Sequence, residues 1–332
     1  MIPRSLIWLV TANCNLNCLH CYTSRFKGHY ELSTTEAISI IRDAYDVGIS
    51  HISLTGGEPL IRKDINTIIK EIRDYGISVS LVTNATVIKE DLVKLLYTYE
   101  VFTYVSLDGS SARTHNLVRG ENSWSRTMRG ISYLKREGVT FSTVFALNKL
   151  NVHEVKGYIT LARDVGALSA CIIPVMPVGR AKLDLVLSPN DLFKVIKLVD
   201  EVSNDMGYWI SIWCYKPAEL MLNSKYVRVY GCRTYRVVDM APSGKLLVCD
   251  VLDFRVADVR KLGLKRALEV YGQDTLVRSL VFPDLTHEPC KSCEIRDVCK
   301  GGCFARAYLL SKDIHSPDPY CPLLHKDSQA QS

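Results

Sequence analysis

The sequence predicts an α/β protein, with a parallel sheet covered by helices and then a small cysteine-rich region. Over the first two thirds of the 332 residues, short apolar runs alternate with amphipathic stretches at helical spacing. This alternation is typical of strand–helix units that form a parallel sheet. After about residue 207 the alternation stops and the cysteines crowd together. With 47% hydrophobic residues, a chain of this length can bury one large core and a smaller one.

Six strand–helix units precede residue 207. The first helix begins with a capping box, Ser33-Thr34-Thr35-Glu36, and Gly48 supplies its left-handed C-terminal cap. Ser188 caps the sixth helix and Pro189 fits its first turn. The predicted strands are 6–10, 49–54, 77–82, 102–107, 139–147 and 168–173. The predicted helices are 33–47, 64–75, 90–97, 124–137, 152–165 and 188 onward. Periodicity alone does not separate a partial barrel from a doubly wound sheet.

Composition and charge exclude several classes of protein. The formal net charge is +6, but lysines and arginines are scattered, which favours a solvated surface over a nucleic-acid-binding stripe. No apolar run reaches membrane-spanning length. The segment 1–10 lacks a small-residue cleavage site, so we expect no signal peptide and a cytoplasmic location. In such a chain, twelve cysteines indicate metal binding and not disulfides.

A cysteine loop directly follows the first predicted strand. Cys14, Cys18 and Cys21 are spaced so that three thiolates can hold three irons of a cubane cluster and leave the fourth iron open. An open iron can bind a substrate directly, as the vacant position of a catalytic zinc does. Three clustered cysteines alone also suit a zinc knuckle.

Further motifs follow the predicted strands in order. They are Thr55-Gly56-Gly57-Glu58-Pro59, Thr83-Asn84-Ala85, Ser106-Leu107-Asp108-Gly109, and His115 with Arg119-Gly120. With the cysteine loop in front of them, these motifs resemble those of the radical S-adenosylmethionine (SAM) superfamily, and the resemblance covers residues 6–180. The resemblance implies a partial (β/α)6 barrel with its chemistry at the carboxyl ends of the strands.

The resemblance also implies a role for each motif. Glu58 and its glycine turn would hold the amino group of SAM, Ser106 would lie near the ribose and carboxylate, and Arg119 would bind the carboxylate. The implied SAM site comprises Gly56, Gly57, Glu58, Thr83, Asn84, Ser106, Asp108 and Arg119. His20 would lie beside the adenine, and the turn 174–180 would line the adenine or the substrate cavity. A reduced cluster would split SAM, and the 5′-deoxyadenosyl radical would take a hydrogen atom from the substrate.

The cysteine spacing after residue 207 resembles the SPASM extension, which carries auxiliary iron–sulfur clusters. The matching residues are Cys232, Cys249, Cys290, Cys293, Cys299, Cys303 and Cys321. The resemblance implies that the distal auxiliary cluster is held by Cys290, Cys293, Cys299 and Cys321, whereas Cys303 would join Cys232 and Cys249 on a proximal cluster. Pro242-Ser243-Gly244 predicts a β-hairpin. Zinc ribbons are the alternative. We therefore predict a radical SAM core over 1–207 and a SPASM domain over 208–332.

The proximal cluster is one ligand short in this assignment. Relatives with four ligands take an extra cysteine shortly before the match of Cys232, and residues 225–231 contain none. Cys214 is the upstream candidate, but it lies outside the usual spacing, so the sequence slightly favours an open iron. Cys171 lies within a predicted strand and is expected to be a small buried hydrophobe.

The expected function is that of a radical SAM/SPASM maturase acting on a peptide, protein or cofactor precursor, with three 4Fe-4S clusters and a flavodoxin- or ferredoxin-type electron donor. We expect no separate peptide-recognition domain. Asp239, Asp250 and Asp253 are candidate proton acceptors beside the auxiliary cysteines. A tetrapyrrole enzyme of the haem-biosynthesis type is the nearest alternative, although such relatives often carry only the distal motif. A non-catalytic iron–sulfur electron carrier and a zinc-binding protein are alternatives of other classes.

Overall fold

A computed structural model describes residues 3–325, which contain one eleven-stranded sheet and its helices. The strands are β1 (Ser5–Thr11), β2 (His51–Gly56), β3 (Ser78–Thr83), β4 (Phe102–Ser106), β5 (Phe141–Leu147), β6 (Ala170–Pro174), β7 (Ile210–Trp213), β8 (Val227–Tyr230), β9 (Val237–Met240), β10 (Lys245–Cys249) and β11 (Leu252–Asp258). The helices are α1 (Thr34–Asp46), α2 (Ile65–Asp74), α3 (Glu90–Thr98), α4 (Ala112–Arg119), α5 (Ser123–Glu137), α6 (Val155–Asp164), α7 (Pro189–Met206), α8 (Val259–Leu262), α9 (Leu264–Gln273), α10 (Thr275–Val281), α11 (Arg296–Cys299) and α12 (Phe304–Ser311).

The strand order decides between the two arrangements that periodicity left open. Strands β1 to β8 lie side by side in chain order, and each pairs in parallel with the next. Because crossovers between parallel strands are right-handed, an unreversed order places the helices on one face of the sheet, whereas a doubly wound sheet reverses its order. In the described part of the chain β1 pairs with β9 and not with β8, so the row does not close into a barrel.

The predicted helix starts are confirmed by their hydrogen bonds. The Ser33 hydroxyl accepts from Glu36 N, and the Glu36 carboxylate accepts from Ser33 N at 2.8 Å, which completes the capping box before α1. Ser188 accepts from Asp191 N at 3.2 Å before α7. The apolar stripes of the helices are buried against the sheet, as the four isoleucines of α2 illustrate.

Three short elements lie outside the six predicted strand–helix units. Helix α4 precedes α5 and is capped by Ser111, but its sequence is too polar to show an apolar stripe. Strands β7 and β8 have four residues each, too few for periodicity to reveal them. Strands β7 and β8 both follow residue 207 and continue the parallel row. The predicted domain boundary after residue 207 stays a prediction.

The C-terminal region contains a hairpin that extends the sheet and a buried ion pair. Strands β9 and β10 pair antiparallel on either side of Gly244, which confirms the predicted hairpin. Arg306 of α12 and Asp318 are both fully enclosed, with Nη1 of Arg306 2.7 Å from the Asp318 carboxylate. Within residues 3–325 no helix combines the length and apolar character needed to cross a membrane.

Close packing of α5 on the turn after β3 generates a stability prediction. A Cβ atom at Gly130 would lie 2.2 Å from the Ala85 carbonyl oxygen, whereas one at Gly272 in α9 would meet no atom within 4 Å. We expect Gly130→Ala to lower the free energy of unfolding by about 1–3 kcal/mol through overpacking. The control Gly272→Ala should raise it by about 0.5–1 kcal/mol, because alanine favours the helix. Anaerobic thermal unfolding measures both, and shifts of the same sign would contradict this account.

Candidate functional site

The carboxyl edge of the parallel row gathers the residues that the motifs singled out. Each parallel strand ends at this edge, so the turns that follow adjacent strands lie side by side. The residues after successive strands are Cys14 after β1, Glu58 after β2, Asn84 after β3, Asp108 after β4, Val175 after β6, Cys214 after β7 and Cys232 after β8.

The glycine pair after β2 lies against the entry of the cysteine loop. Gly57 N donates to Thr11 O and Glu58 N donates to Asn13 O, both at 2.8 Å. A Cβ atom at Gly56 would lie 2.2 Å from Thr11 O, and one at Gly57 would lie 2.0 Å from Asn13 O. The two positions therefore need glycine, because any side chain would push the turn away from the cysteine loop.

Glu58 is fully buried and joins the second and third turns. Its Oε1 accepts from Leu60 N at 3.1 Å and from Thr83 Oγ1 at 2.7 Å, and its Oε2 accepts from Asn84 N at 2.7 Å. Burial raises the pKa of Glu58 to about 7, despite these donors. The structure thus places three predicted residues, Glu58, Thr83 and Asn84, in one hydrogen-bonded group.

Asn84 extends this group to the cysteine loop. Its side-chain nitrogen donates to Asn15 Oδ1 at 3.0 Å and lies 3.9 Å from Cys14 Sγ. Because Asn84 is itself buried, the position of Cys14 depends on the turn after β3 as well as on β1.

A buried ion pair lies on the other side of the loop. Asp108 Oδ2 is 2.7 Å from Arg119 Nε, and Asp108 Oδ1 accepts from Ala146 N at 2.7 Å. Arg119 Nη1 lies 3.8 Å from Cys18 Sγ. Burial, the largest single influence, would raise the pKa of Asp108, but Arg119, His20 and the Ala146 N–H together outweigh it and the pKa is lowered. The ionised Asp108 therefore holds the Arg119 cation beside the cysteine loop. Ser106, another predicted residue, is the last residue of β4 and is half-buried.

Two histidines lie against this pair. His20 Nε2 is 3.5 Å from Asp108 Oδ2, and burial lowers the pKa of His20 to about 4, so its ring is neutral near pH 7. His115 Nδ1 accepts from Asp108 N at 3.2 Å. The neighbour of His20 in the structure is thus Asp108, and its proximity to an adenine stays a prediction.

Sequence reasoning missed the side chains that hold the start of the loop. The Glu31 carboxylate accepts from Thr11 Oγ1 at 2.9 Å and from Ala12 N at 2.7 Å. Arg62 Nη1 donates to Val10 O at 2.6 Å, and Arg62 also pairs with Asp64. Neither Glu31 nor Arg62 belongs to a recognisable motif, so no sequence signal could have identified them.

The turn after β6 contacts the end of the loop. Arg180 Nε donates to Cys18 O at 2.8 Å, and Arg180 N donates to Cys21 O at 3.1 Å. In the structure, Arg180 ties the turn 174–180 to the backbone of the cysteine loop, and the role of this turn beside the adenine or the substrate stays a prediction.

The C-terminal cysteines form two groups. Cys290, Cys293, Cys299 and Cys321 line one cavity together with Pro217 and Pro289. Burial raises the pKa of Cys321 to about 11 and that of Cys299 to about 12. Cys303 does not line this cavity and instead begins α12, where it lies in a second apolar cluster with Cys249.

The three candidate carboxylates differ in their surroundings. The ligand atoms of Asp239, Cys249 and Asp250 all lie within 4.8 Å of one another. Asp250 Oδ2 accepts from the Tyr22 hydroxyl at 2.5 Å, and Asp239 Oδ2 accepts from Asp250 N at 2.8 Å. Asp253, in contrast, forms a partly exposed pair with Arg255 at 2.7 Å.

Sulfur spacing tests whether these sites suit clusters or single ions. One tetrahedral zinc ion would hold its thiolates about 3.8 Å apart. Within residues 3–325 neither Cys14, Cys18 and Cys21 nor the four cysteines of the distal cavity gather within 4.8 Å. Neither group therefore has the tight spacing that a single zinc ion would impose.

We compared this chain with protein families, with known relatives and with solved structures. Residues 8–162 match the model of the radical SAM superfamily. An AdoMet-dependent heme synthase from Methanosarcina barkeri is 29% identical over 96% of each chain. Mycofactocin maturase MftC from Mycolicibacterium smegmatis is 26% identical over 96% of this chain and 82% of its own. The crystal structure of Streptococcus suis SuiB bound to precursor peptide SuiA has a TM-score of 0.80 at 19% identity, covering 97% of this chain and 76% of SuiB.

The fold and the arrangement of the cysteine loop agree with an iron–sulfur enzyme that uses S-adenosylmethionine. Residues 8–162 match the radical SAM superfamily, a family that binds a 4Fe-4S cluster and SAM. The predicted resemblance and the predicted enzyme class are thereby confirmed, and a 4Fe-4S cluster and SAM are the cofactors that this match supports.

Proposed function

We propose that this enzyme binds SAM against a cluster on Cys14, Cys18 and Cys21 and removes a hydrogen atom from a peptide, protein or cofactor precursor. The observation that carries the proposal is the placement of Arg119, whose guanidinium is fixed by Asp108 within 3.8 Å of Cys18 Sγ. A buried cation beside the cysteine loop suits the carboxylate of a ligand that also reaches the cluster.

The chain's own residues would orient SAM from two sides. Glu58, held by three hydrogen bonds, would accept from the amino group of SAM, and Arg119 would donate to its carboxylate. Gly56 and Gly57 keep the intervening backbone close to the loop. Together, the bound cluster and SAM supply the 5′-deoxyadenosyl radical, and the protein holds them and excludes water.

The proposed enzyme also holds two auxiliary clusters, one distal and one proximal. The shared cavity of Cys290, Cys293, Cys299 and Cys321 supports the distal one. The proximal one is supported by Cys249 and Cys303, which are buried in one apolar cluster, and by Cys232, an exposed residue whose thiolate is close enough to raise the pKa of Cys249. Asp239 and Asp250 lie beside Cys249 and remain candidate proton acceptors, whereas the Arg255 pair makes Asp253 a weaker candidate. A flavodoxin- or ferredoxin-type protein would deliver the electron.

The compared proteins support two substrate classes. The names of mycofactocin maturase MftC and of SuiB bound to precursor peptide SuiA favour maturation of a peptide. The heme synthase from Methanosarcina barkeri, which matches 96% of each chain, favours a tetrapyrrole as the second candidate. Both substrates offer unactivated carbon–hydrogen bonds to the proposed radical.

One labelling experiment tests the function and separates the two substrates. The enzyme is reconstituted anaerobically, reduced with dithionite and given SAM with either a deuterated candidate precursor peptide or a tetrapyrrole deuterated on its side chains. Deuterium in 5′-deoxyadenosine identifies the substrate. A protein that forms no 5′-deoxyadenosine, or that binds stoichiometric zinc in place of about twelve irons, would refute the proposal.

The first prediction separates the SAM cluster from the auxiliary clusters. Replacing Cys14, Cys18 and Cys21 together by alanine should abolish SAM cleavage and leave about eight irons per chain, because the ligand sets do not overlap. Iron and sulfide analysis measures the outcome. Loss of all iron would show that the clusters are not independent.

A second prediction concerns Arg119. Arg119→Ala should weaken SAM binding by roughly tenfold to a hundredfold, since a charge-assisted hydrogen bond contributes about 1.5–3 kcal/mol. Arg113→Ala, on the exposed face of the same helix, is the matched control and should leave the dissociation constant unchanged. Equal effects of the two substitutions would contradict the assignment.

A third prediction uses the pKa of Glu58, which is about 7 in the SAM-free structure. Since the ionised carboxylate is the better partner for an amino group, SAM affinity should rise as the pH increases through about 7 and then level off. Glu58→Gln should bind SAM more weakly and remove this rise. Titrations of SAM binding between pH 6 and 8.5 measure it, and an unchanged pH profile in Glu58→Gln would assign the rise to another group.

A further inference from the structure

The proximal cysteine group contains a fourth thiol. We infer that Cys214 is the fourth ligand of the proximal auxiliary cluster, together with Cys232, Cys249 and Cys303. The inference rests on the proposed auxiliary cluster and deepens it, because the sequence slightly favoured an open iron at this site.

Strand register places Cys214 next to Cys232, although 17 residues separate them in the sequence. Strands β7 and β8 are parallel neighbours in which Trp213 pairs with Tyr230. Cys214 N then donates to Tyr230 O at 3.2 Å. Both cysteines therefore leave adjacent strands at the same edge, within about one residue of the same level.

The backbone at Cys214 turns sharply where β7 ends. Cys214 has φ +57°, a left-handed conformation that is uncommon for residues other than glycine. Its side chain packs against the apolar cluster that contains Cys249 and Cys303. At this turn the Cys214 side chain therefore lies against the cluster that holds Cys249 and Cys303.

The buried ion pair of Arg306 and Asp318 contacts both Cys214 and Cys303 and so fixes the position of one relative to the other. Arg306 Nη2 donates to Cys214 O at 2.9 Å, and Arg306 N lies 3.4 Å from Cys303 Sγ. Asp318 Oδ2 pairs with Arg306 at 2.7 Å and accepts from Cys303 N at 3.0 Å. Because Arg306 and Asp318 are enclosed, both cysteine backbones are anchored to the same rigid group.

The charges around the Cys214 thiol agree with its placement in the proximal cysteine group. Burial raises the pKa of the Cys214 thiol, and the thiolates of Cys232 and Cys303 raise it further. Cys171 offers a comparison, because it is a buried cysteine whose thiol has Ser169 and Ser211 as partners. Cationic irons would relieve the repulsion among the thiolates of the proximal group, and Cys171 has no such repulsion to relieve.

Carboxylates are the competing ligands, since Asp239 and Asp250 lie near Cys249. Each is already engaged: Asp250 Oδ2 accepts from Tyr22, and Asp239 Oδ2 accepts from Asp250 N. Thiolate is also the usual ligand of iron–sulfur clusters. With Cys214 bound, the proximal cluster has no open iron, so it would transfer electrons and would not bind the substrate directly.

Iron analysis and electron paramagnetic resonance (EPR) of reconstituted protein test the inference. The background is the full chain with Cys14, Cys18 and Cys21 replaced by alanine, so that only auxiliary clusters contribute, with about eight irons expected. In this background Cys214→Ala should lose about four irons, as should the positive control Cys232→Ala. Cys171→Ala is the matched control for loss of a buried thiol, and it should keep both the iron and the EPR spectrum.

Cys214→Ser covers the case in which the alanine variant does not fold. In folded protein, as judged by circular dichroism, serine should either lose about four irons or shift the EPR signal of the reduced proximal cluster, because oxygen replaces sulfur. An unchanged iron content and spectrum in a folded Cys214 variant would overturn the inference while leaving the proposed function intact. If the background chain held no iron, or if Cys232→Ala lost none, the proposed auxiliary clusters and this inference would both fail.

Discussion

The site depends on the close approach of two backbones, where Gly57 meets Asn13. This contact aligns the turn after β2 with the entry to the cysteine loop through the hydrogen bonds to Thr11 O and Asn13 O. Glu58 then necessarily lies beside the loop, and its carboxylate fixes the turn after β3. A displacement of this single contact would therefore move the cysteines, the glutamate and Asn84 relative to one another.

Charge imposes the second constraint on the molecule. Six of the twelve cysteines are buried, and burial raises the pKa of one of them, Cys18, to about 11. A cluster requires thiolates, so metal binding must supply the free energy to deprotonate them. Arg119 assists at Cys18, since its guanidinium lowers the pKa that burial raises. Asp108 in turn keeps that buried cation paired, because an unpaired charge inside the protein would be strongly destabilising.

Most of the fold could be predicted from the sequence because its signals are local. The capping box before α1, the glycine turns and the six first strands each occupy a few consecutive residues, and the structure confirms them. Features that depend on contacts between distant segments could not be predicted. Glu31 and Arg62 support the loop from outside any motif, and Arg306 pairs with Asp318 without a characteristic spacing. Cys214 became informative only when the register of β7 and β8 was known.

The two cysteine regions are joined directly. Tyr22 directly follows Cys21, and Asp250 directly follows Cys249. The Tyr22 hydroxyl donates to the Asp250 carboxylate, and Arg25 Nη2 donates to the Asp250 carbonyl oxygen at 2.6 Å. These contacts are buried or half-buried, so the two loops form one framework. A carbon radical formed beside the SAM site would thus lie near the proximal cysteines. If these four thiolates saturate their cluster, the substrate must be oriented by side chains between the loops, and specificity would reside in that lining.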